Sequence, residues 1–444
     1  MMQRPNMSNN TNGTKYSPLS VEPSSELDLE SGSNNNDTSR HSPEQQGQSQ
    51  LSATINLSKC ICGAGSFALP HVFLEEGVLG GTLALTLCGG LAAYTMASLA
   101  RSKWQCHGVS SSSYVELAEA ALGKRAGQTV FVLTLSASMG VCSTYLVFIG
   151  ETLESLSCDN TQSNKNLIRT FLPDIPASTW EVGTALLVFP LCLLRSYRVF
   201  AFTSALGVGA VMGGILVTLA SGIWVEPGIG VALEQIWDMP LWPDSLAKAF
   251  GSSFGTIAYL FCINFLTFPI LNSMANPKEE YASAVNTAVA GVWLVNVVFA
   301  ILCLGFYGHN TQDLVLGNLS NGPYLSALKL LLCVDLLFTF PIVFLGGRQI
   351  LEAALLPPSH NWRTAMVATA VACCWGLTKI GGFGTVANLV GGVAQGTLAF
   401  IMPPAIAVAL ARRNGEQGGE AAHWVVGIFG VVVVSSVTYF TAFP

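Results

Sequence analysis

From Leu51 onward the chain alternates long apolar stretches with short polar connections. The stretches run about 17 to 25 residues, the length at which a helix crosses a hydrocarbon core of about 30 Å. About eleven recur, over roughly 52–74, 78–100, 126–153, 179–195, 201–224, 246–271, 283–307, 323–346, 364–379, 385–410 and 423–442. A closed barrel would need short alternating strands instead, and the pattern holds none. It predicts an all-α membrane protein of about eleven transmembrane helices. Residues 1–50 differ in kind: they are rich in Ser, Asn, Gln and Pro, and no apolar side chain appears from Ser31 to Gln50. They lack the pattern of a signal peptide and read as a disordered tail ahead of a transmembrane domain at 51–444.

Composition sharpens this division. Overall, 51% of residues are hydrophobic and 10% charged, against about 25% charged in soluble domains. A net charge of -6 leaves no basic face for phosphates, which excludes nucleic acid as a partner. Five acids between Glu22 and Asp37 could engage a basic protein, although a solvated low-complexity arm accounts for them without one. The twelve cysteines show no metal spacing, and all but Cys106 and Cys158 lie in apolar runs, where a thiol behaves as a small hydrophobe. Disulfides, metals and cofactors are therefore not expected. No P-loop, HExxH or CxxC occurs. Gly251-Ser252-Ser253-Phe254-Gly255 imitates a nucleophile elbow by letter, but in a membrane helix it reads as a packing face. The chain is not expected to be an enzyme.

Charge placement orients the spans. With the tail inside, about fourteen of the 20 lysines and arginines fall on interior segments and about three on exterior ones. The amino terminus is expected in the cytosol and, after an odd number of spans, the carboxyl terminus on the other side. Asn318, in the sequon Asn318-Leu319-Ser320, would face the exterior or lumen, whereas the sequons at Asn6, Asn9, Asn12 and Asn36 would face the cytosol. Between the second and third spans, Tyr114, Leu117, Ala118 and Ala121 share one helical face opposite Glu116 and Glu119, behind capping serines. That is an interfacial helix. Trp237 and Trp242, in the exterior segment 226–244, suit headgroup anchoring.

Several intramembrane residues could carry chemistry. The first span holds Gly63-Ala64-Gly65-Ser66 near its middle and Pro70 beyond. A helix broken there would free backbone N–H groups and aim the positive end of its outer half at a carboxylate; close packing of an unbroken helix is the alternative. Lys59 lies in the same span, where a charge should face protein or water, or snorkel to the surface. Asp335, in the eighth span, is the most deeply placed carboxyl group. It is either a proton-exchanging group or a structural one paired with Lys329 or a hydroxyl. Thr339, one turn on, offers an oxygen to a small cation. In the sixth span Asn264 needs partners and Pro269 leaves a carbonyl unpaired, but no glycine marks a break.

These segments resemble the amino acid/auxin permease (AAAP) family. Asn56 to Pro70 is similar to its first-helix signature, Pro190 to Phe200 to its fourth-helix exit, and Phe268 to Pro277 to its sixth; Phe340 to Ile350 and Val386 to Pro404 extend the likeness. The resemblance implies a leucine-transporter-like five-plus-five inverted repeat plus one extra helix, with the first and sixth helices broken around an amino acid. It further implies that Gly63, Ala64, Gly65 and Ser66 bind the substrate carboxylate, and that Tyr259, Cys262 and Asn264 face its amine or side chain. Coupling is expected at Asn56, Lys59, Asp335 and Thr339, Asp335 for its depth in the span. Asn56 and Thr339 look like sodium-coupled members, Lys59 like proton-coupled ones. The expected protein is a secondary active transporter of neutral amino acids in a plasma, vacuolar or lysosomal membrane, driven by protons or else sodium. A membrane receptor for amino acids, signalling through the tail, is the rival.

Overall fold

The computed structural model describes residues 47–106, 113–157, 175–194, 198–224, 228–319, 322–354, 360–415 and 420–443. The tail to residue 46, with its sequons and acids, lies outside the described residues, as do Cys158 and Ser320. Among the described residues all regular structure is helical, apart from one isolated bridge between Gln48 and Met274.

The first span is two helices, α1 (Gln50–Ile61) and α2 (Leu69–Glu76), bent by 46°. The second is α3 (Val78–Gln105), followed by the short α4 (Tyr114–Leu122), and the third is α5 (Lys124–Ser157). Then come α6 (Ala177–Leu193), α7 (Arg198–Trp224) and a return helix α8 (Ile229–Asp238). The sixth span is again split, into α9 (Leu246–Phe261) and α10 (Thr267–Ser273). α11 (Pro277–Tyr307), α12 (Pro323–Ala354) and α13 (His360–Leu377) follow. The tenth span starts with α14 (Phe383–Leu389) and widens into π turns over Val390–Gln395 and Thr397–Ile401. It ends as α15 (Met402–Asn414), and α16 (Glu420–Ala442) closes the chain.

Among the described residues seven helical stretches, with α9–α10 and α14–α15 counted as one each, are long and apolar enough to cross a membrane, or up to nine if each bent pair is one span. The fourth and ninth of the eleven expected places are taken by α6 and α13, whose 17 and 18 residues stand at the short end of what spans about 30 Å. Burial separates the centre from the periphery: the most apolar window of the sixth span is 78% buried and that of α16 only 22%. The eleventh helix is therefore an outer addition to the bundle.

The short helices show how the chain satisfies its ends. The N-terminal amides of α3 would be orphans. They are met instead by the loop before α9, Val78 N donating to Pro240 O (3.1 Å) and Leu79 N to Leu241 O (3.0 Å). Gly77 permits this with φ +75°, since a Cβ there would meet Leu241 backbone at 2.7 Å. The segment 226–244, expected to face the exterior, contains a helix, α8. Its Ala232 carbonyl and Ile236 press on Gly305 of α11, while Trp237 remains 87% exposed as an anchor should. The expected interfacial helix α4 buries Tyr114, Leu117 and Ala118 as its pattern requires, and Ser113 caps it, its Oγ accepting from Glu116 N (3.2 Å). Its apolar face lies on the tenth span, where the Tyr114 hydroxyl donates to Leu398 O (2.8 Å) within the π turns.

Gly251 to Gly255 behave as the packing face expected. A Cβ at Gly251 would strike Phe440 and one at Gly255 the backbone of Asn388, so the sixth span sits close against the tenth and eleventh.

Candidate functional site

Both breaks lie at mid-helix, five spans apart, and each consists of a helix end, a tight 3₁₀ turn and a second helix. At the first, Cys62 N still reaches Ser58 O (2.8 Å), Gly63 is extended, and Ser66 N donates to Gly63 O (3.1 Å) to start the turn Ala64–Ala68. The opening amides of such a turn, those of Ala64 and Gly65, have no partner within it. The expected break is thus present, and the packing alternative does not hold. At the sixth span, Cys262 N reaches Ala258 O (2.8 Å), but Ile263 N turns to Phe261 O (2.9 Å) and never closes on the carbonyl of Tyr259. A second turn, Asn264–Leu266, leads into α10.

The breaks face each other. A Cβ built on Gly65 would stand 3.1 Å from the Tyr259 ring, whereas one on Gly63 would find nothing within 4 Å. Among the described residues, then, the turn's opening amides lie on one side and the carbonyl of Tyr259, not closed on by Ile263 N, on the other. Ser66 is fully buried, with its hydroxyl 3.7 Å from Cys62 Sγ. Thr144 of α5 lies 2.7 Å from the Tyr259 hydroxyl, and Phe383 of α14 packs edge-on against the Tyr259 ring at 6.2 Å. Neither was singled out from sequence, since one threonine and one phenylalanine in apolar runs carry no signal.

Of the sixth-span residues expected around the substrate, only Tyr259 meets the first break. Asn264 is turned to the second span, its Nδ2 donating to Thr95 Oγ1 (3.0 Å), and Cys262 packs there beside Cys88. The reason is local: α9 ends at Phe261, and the tight turn after it rotates both side chains to the opposite wall.

The four coupling candidates divide likewise. Thr339 Oγ1 donates to Asp335 Oδ1 (3.4 Å), and Lys59 lies within electrostatic reach of that carboxylate. Asp335 abuts Gly207 of α7, where any Cβ would collide with its carboxylate. Lys329 is engaged elsewhere, donating to Ser155 Oγ and Leu319 O (both 3.2 Å), so the hydroxyl and not Lys329 is Asp335's hydrogen-bond partner. Asn56 stands apart, donating from Nδ2 to Gln48 Oε1 (3.0 Å). A groove of about 660 Å³ lies between α3 and α11, lined by residues such as Tyr94, Arg101 and Trp293, and touches none of these residues.

Over residues 46–443 the chain matches the family described as transmembrane amino acid transporter protein. The chain belongs to that family. Its relatives include Amino acid transporter ANT1 of Arabidopsis thaliana, 24% identical over 88% of this chain and 92% of the relative. Vacuolar amino acid transporter 7 of Saccharomyces cerevisiae is 26% identical over 67% and 57%. Sodium-coupled neutral amino acid transporter 7 of Danio rerio is 23% identical over 80% and 78%. This is a transporter family and not a family of enzymes.

In the transporter, both approaches to the breaks are crossed by polar contacts. On the tail side Gln48 N donates to Ser273 O (2.8 Å) and its carbonyl accepts from Ala275 N (3.0 Å), which joins the entry to α1 to the end of α10. On the opposite side His71 of α2 lies 3.2 Å from Asp313, and Glu151 of α5 accepts from Phe383 N (3.0 Å). Beyond these, Lys379 pairs with Glu181 at 2.5 Å.

Proposed function

We propose that this amino acid transporter is a secondary active carrier of neutral amino acids, working by alternating access and coupled to protons. The observation that carries the reading is the apposition of Gly65 and the Tyr259 ring, with the opening amides of the first turn on one side and, on the other, a Tyr259 carbonyl on which Ile263 N does not close. Among the described residues the sixth span sets no Asp, Glu, Lys or Arg in its stretch from Ala249 to Pro269, which favours small uncharged side chains on the substrate. Gly63, Ala64, Gly65 and Ser66 take the carboxylate, and Tyr259 takes the amine through its carbonyl while its ring lines the side-chain space.

Proton coupling rests on Asp335, which can change charge, with Lys59 beside it to balance the ionised form and Thr339 as its hydrogen-bond donor. Sodium coupling is the second reading, favoured by the name of the zebrafish relative. It needs Asn56 and Thr339 as shared oxygen ligands, and their side chains are engaged with Gln48 and Asp335 respectively. The excess of lysine and arginine on the tail side supports a cytosolic amino terminus and an exterior or lumenal carboxyl terminus. The yeast relative's name supports a vacuolar membrane. Residues 1–50 are taken as the cytosolic tail and 51–444 as the transport domain.

The test is uptake into proteoliposomes under imposed pH and sodium gradients. Accumulation driven by a pH gradient without sodium is expected; strict sodium dependence would reverse the choice of ion. Binding of amino acid without counterflow would favour a receptor. Sugar on any tail asparagine would overturn the orientation.

A further inference from the structure

Glu76 is the last residue of α2, and only 5% of its surface is exposed. Its Oε1 lies 2.8 Å from Ser253 Oγ of α9, so this contact joins the two half-helices on the side away from the tail. The same Ser253 Oγ lies 2.6 Å from Ala249 O. A serine hydroxyl has one hydrogen, and a backbone carbonyl can only accept. Were Glu76 a carboxylate, both neighbours of Ser253 would compete for that hydrogen, and the buried charge would be left with half a partner. With a proton on Glu76 the chain closes: Glu76 donates to Ser253, and Ser253 donates to Ala249 O.

The surroundings offer an anion nothing better. Around Glu76 the second span presents Gly80, the loop before α9 presents Leu241 and Trp242, and α9 presents Ser252 and Ser253. The charged group facing it is Glu75 of its own helix, a like charge that accepts from Ser252 (3.4 Å) and lies 3.8 Å from His71. Among the described residues no cation lies within ion-pair distance of Glu76.

We propose that Glu76 and Ser253 form a proton-operated latch, in which a proton taken up by Glu76 from the side away from the tail holds α2 against α9. Parting the half-helices admits water, and Glu76 ionises; acid on that side favours the closed face. The latch is distinct from coupling at Asp335, because Glu76 stands at the end of α2 away from the tail, against Ser253, and not beside Asp335. The proposal uses the alternating-access reading but does not require protons to be the driving ion.

The experiment is counterflow in proteoliposomes at equal pH on both sides, which imposes no ion gradient, for wild type, Glu76→Gln, Ser253→Ala and Asp335→Asn. Wild-type exchange is expected to rise up to tenfold per pH unit across a one-proton step as the face is freed to open. Glu76→Gln keeps a donor to Ser253, so it should stay at the acid-limb rate with that step absent. Ser253→Ala removes the acceptor of the neutral acid and should move the step to lower pH. Asp335→Asn should keep the step even where it loses gradient-driven accumulation, so the two proposals fail separately. An unchanged step in Glu76→Gln overturns the latch; if that variant does not fold, an unmoved step in Ser253→Ala does so.

Discussion

The two breaks perform one task with different residues. The first is made of small ones: Gly63 turns extended, and the five residues Ala64–Ala68 follow in a tight turn whose opening amides, those of Ala64 and Gly65, have no partner within it. The sixth has no glycine, and its turn of three residues carries Asn264, Phe265 and Leu266. Where side chains are absent the backbone itself is left to face the space, which is what the proposed carboxylate site needs. Where they are bulky they brace the wall, as Asn264 does on Thr95. What the breaks share is proline. Pro70 is the second residue of α2 and Pro269 the third of α10, where the missing N–H would be an orphan in any case. Proline forbids continuation of the preceding helix, and glycine only shapes the gap.

Valine at either glycine is the strongest way to break this contrast. Gly63→Val and Gly65→Val should each abolish uptake while the protein still reaches its membrane. The first should also retain near-wild-type thermal stability, because its side chain enters open space, whereas the second must displace the Tyr259 ring. Normal kinetics in both would remove the first break from the site. Asp335→Asn comes next, with pH-driven accumulation lost and sodium-independent exchange retained; an unimpaired pH-driven response would point the coupling elsewhere. Thr95→Val tests whether Asn264 braces the wall. It leaves a buried amide unpaired at a cost of about 1–3 kcal/mol, so a lowered melting temperature with unaltered substrate affinity is expected. A collapse of affinity would place Asn264 at the substrate after all. The smallest effect is Tyr259→Phe, which deletes the hydroxyl contact with Thr144 at about 1 kcal/mol and should leave the carbonyl role intact.

Much of the architecture was legible because lipid imposes long unbroken apolar runs, and α4 was legible because half-burial imposes a 3.6-residue period. The weak point at Gly63 to Ser66 was legible as well, since glycines and a following proline at mid-span weaken a helix, but the pattern leaves breaking and close packing both open and only the turn itself decides between them. Thr144 and Phe383 were not, because they reach Tyr259 from the third and tenth spans and no local pattern records that meeting. Glu76 carries no sequence signal for a related reason: at a span end a carboxyl group looks solvated, and only α9 packing on α2 buries it.

The sequence alone therefore determined the solvent of the fold, the order of its helices and the position of the glycine-rich break, all of which follow from properties of neighbouring residues. Tertiary structure decided which side chains share the space between the breaks. Cys262 and Asn264 were turned away by the geometry of one tight turn, and Asn56 was drawn to Gln48 instead of to Thr339. Side-chain direction after a helix ends depends on the dihedral angles of the turn, and those are set by what packs against it.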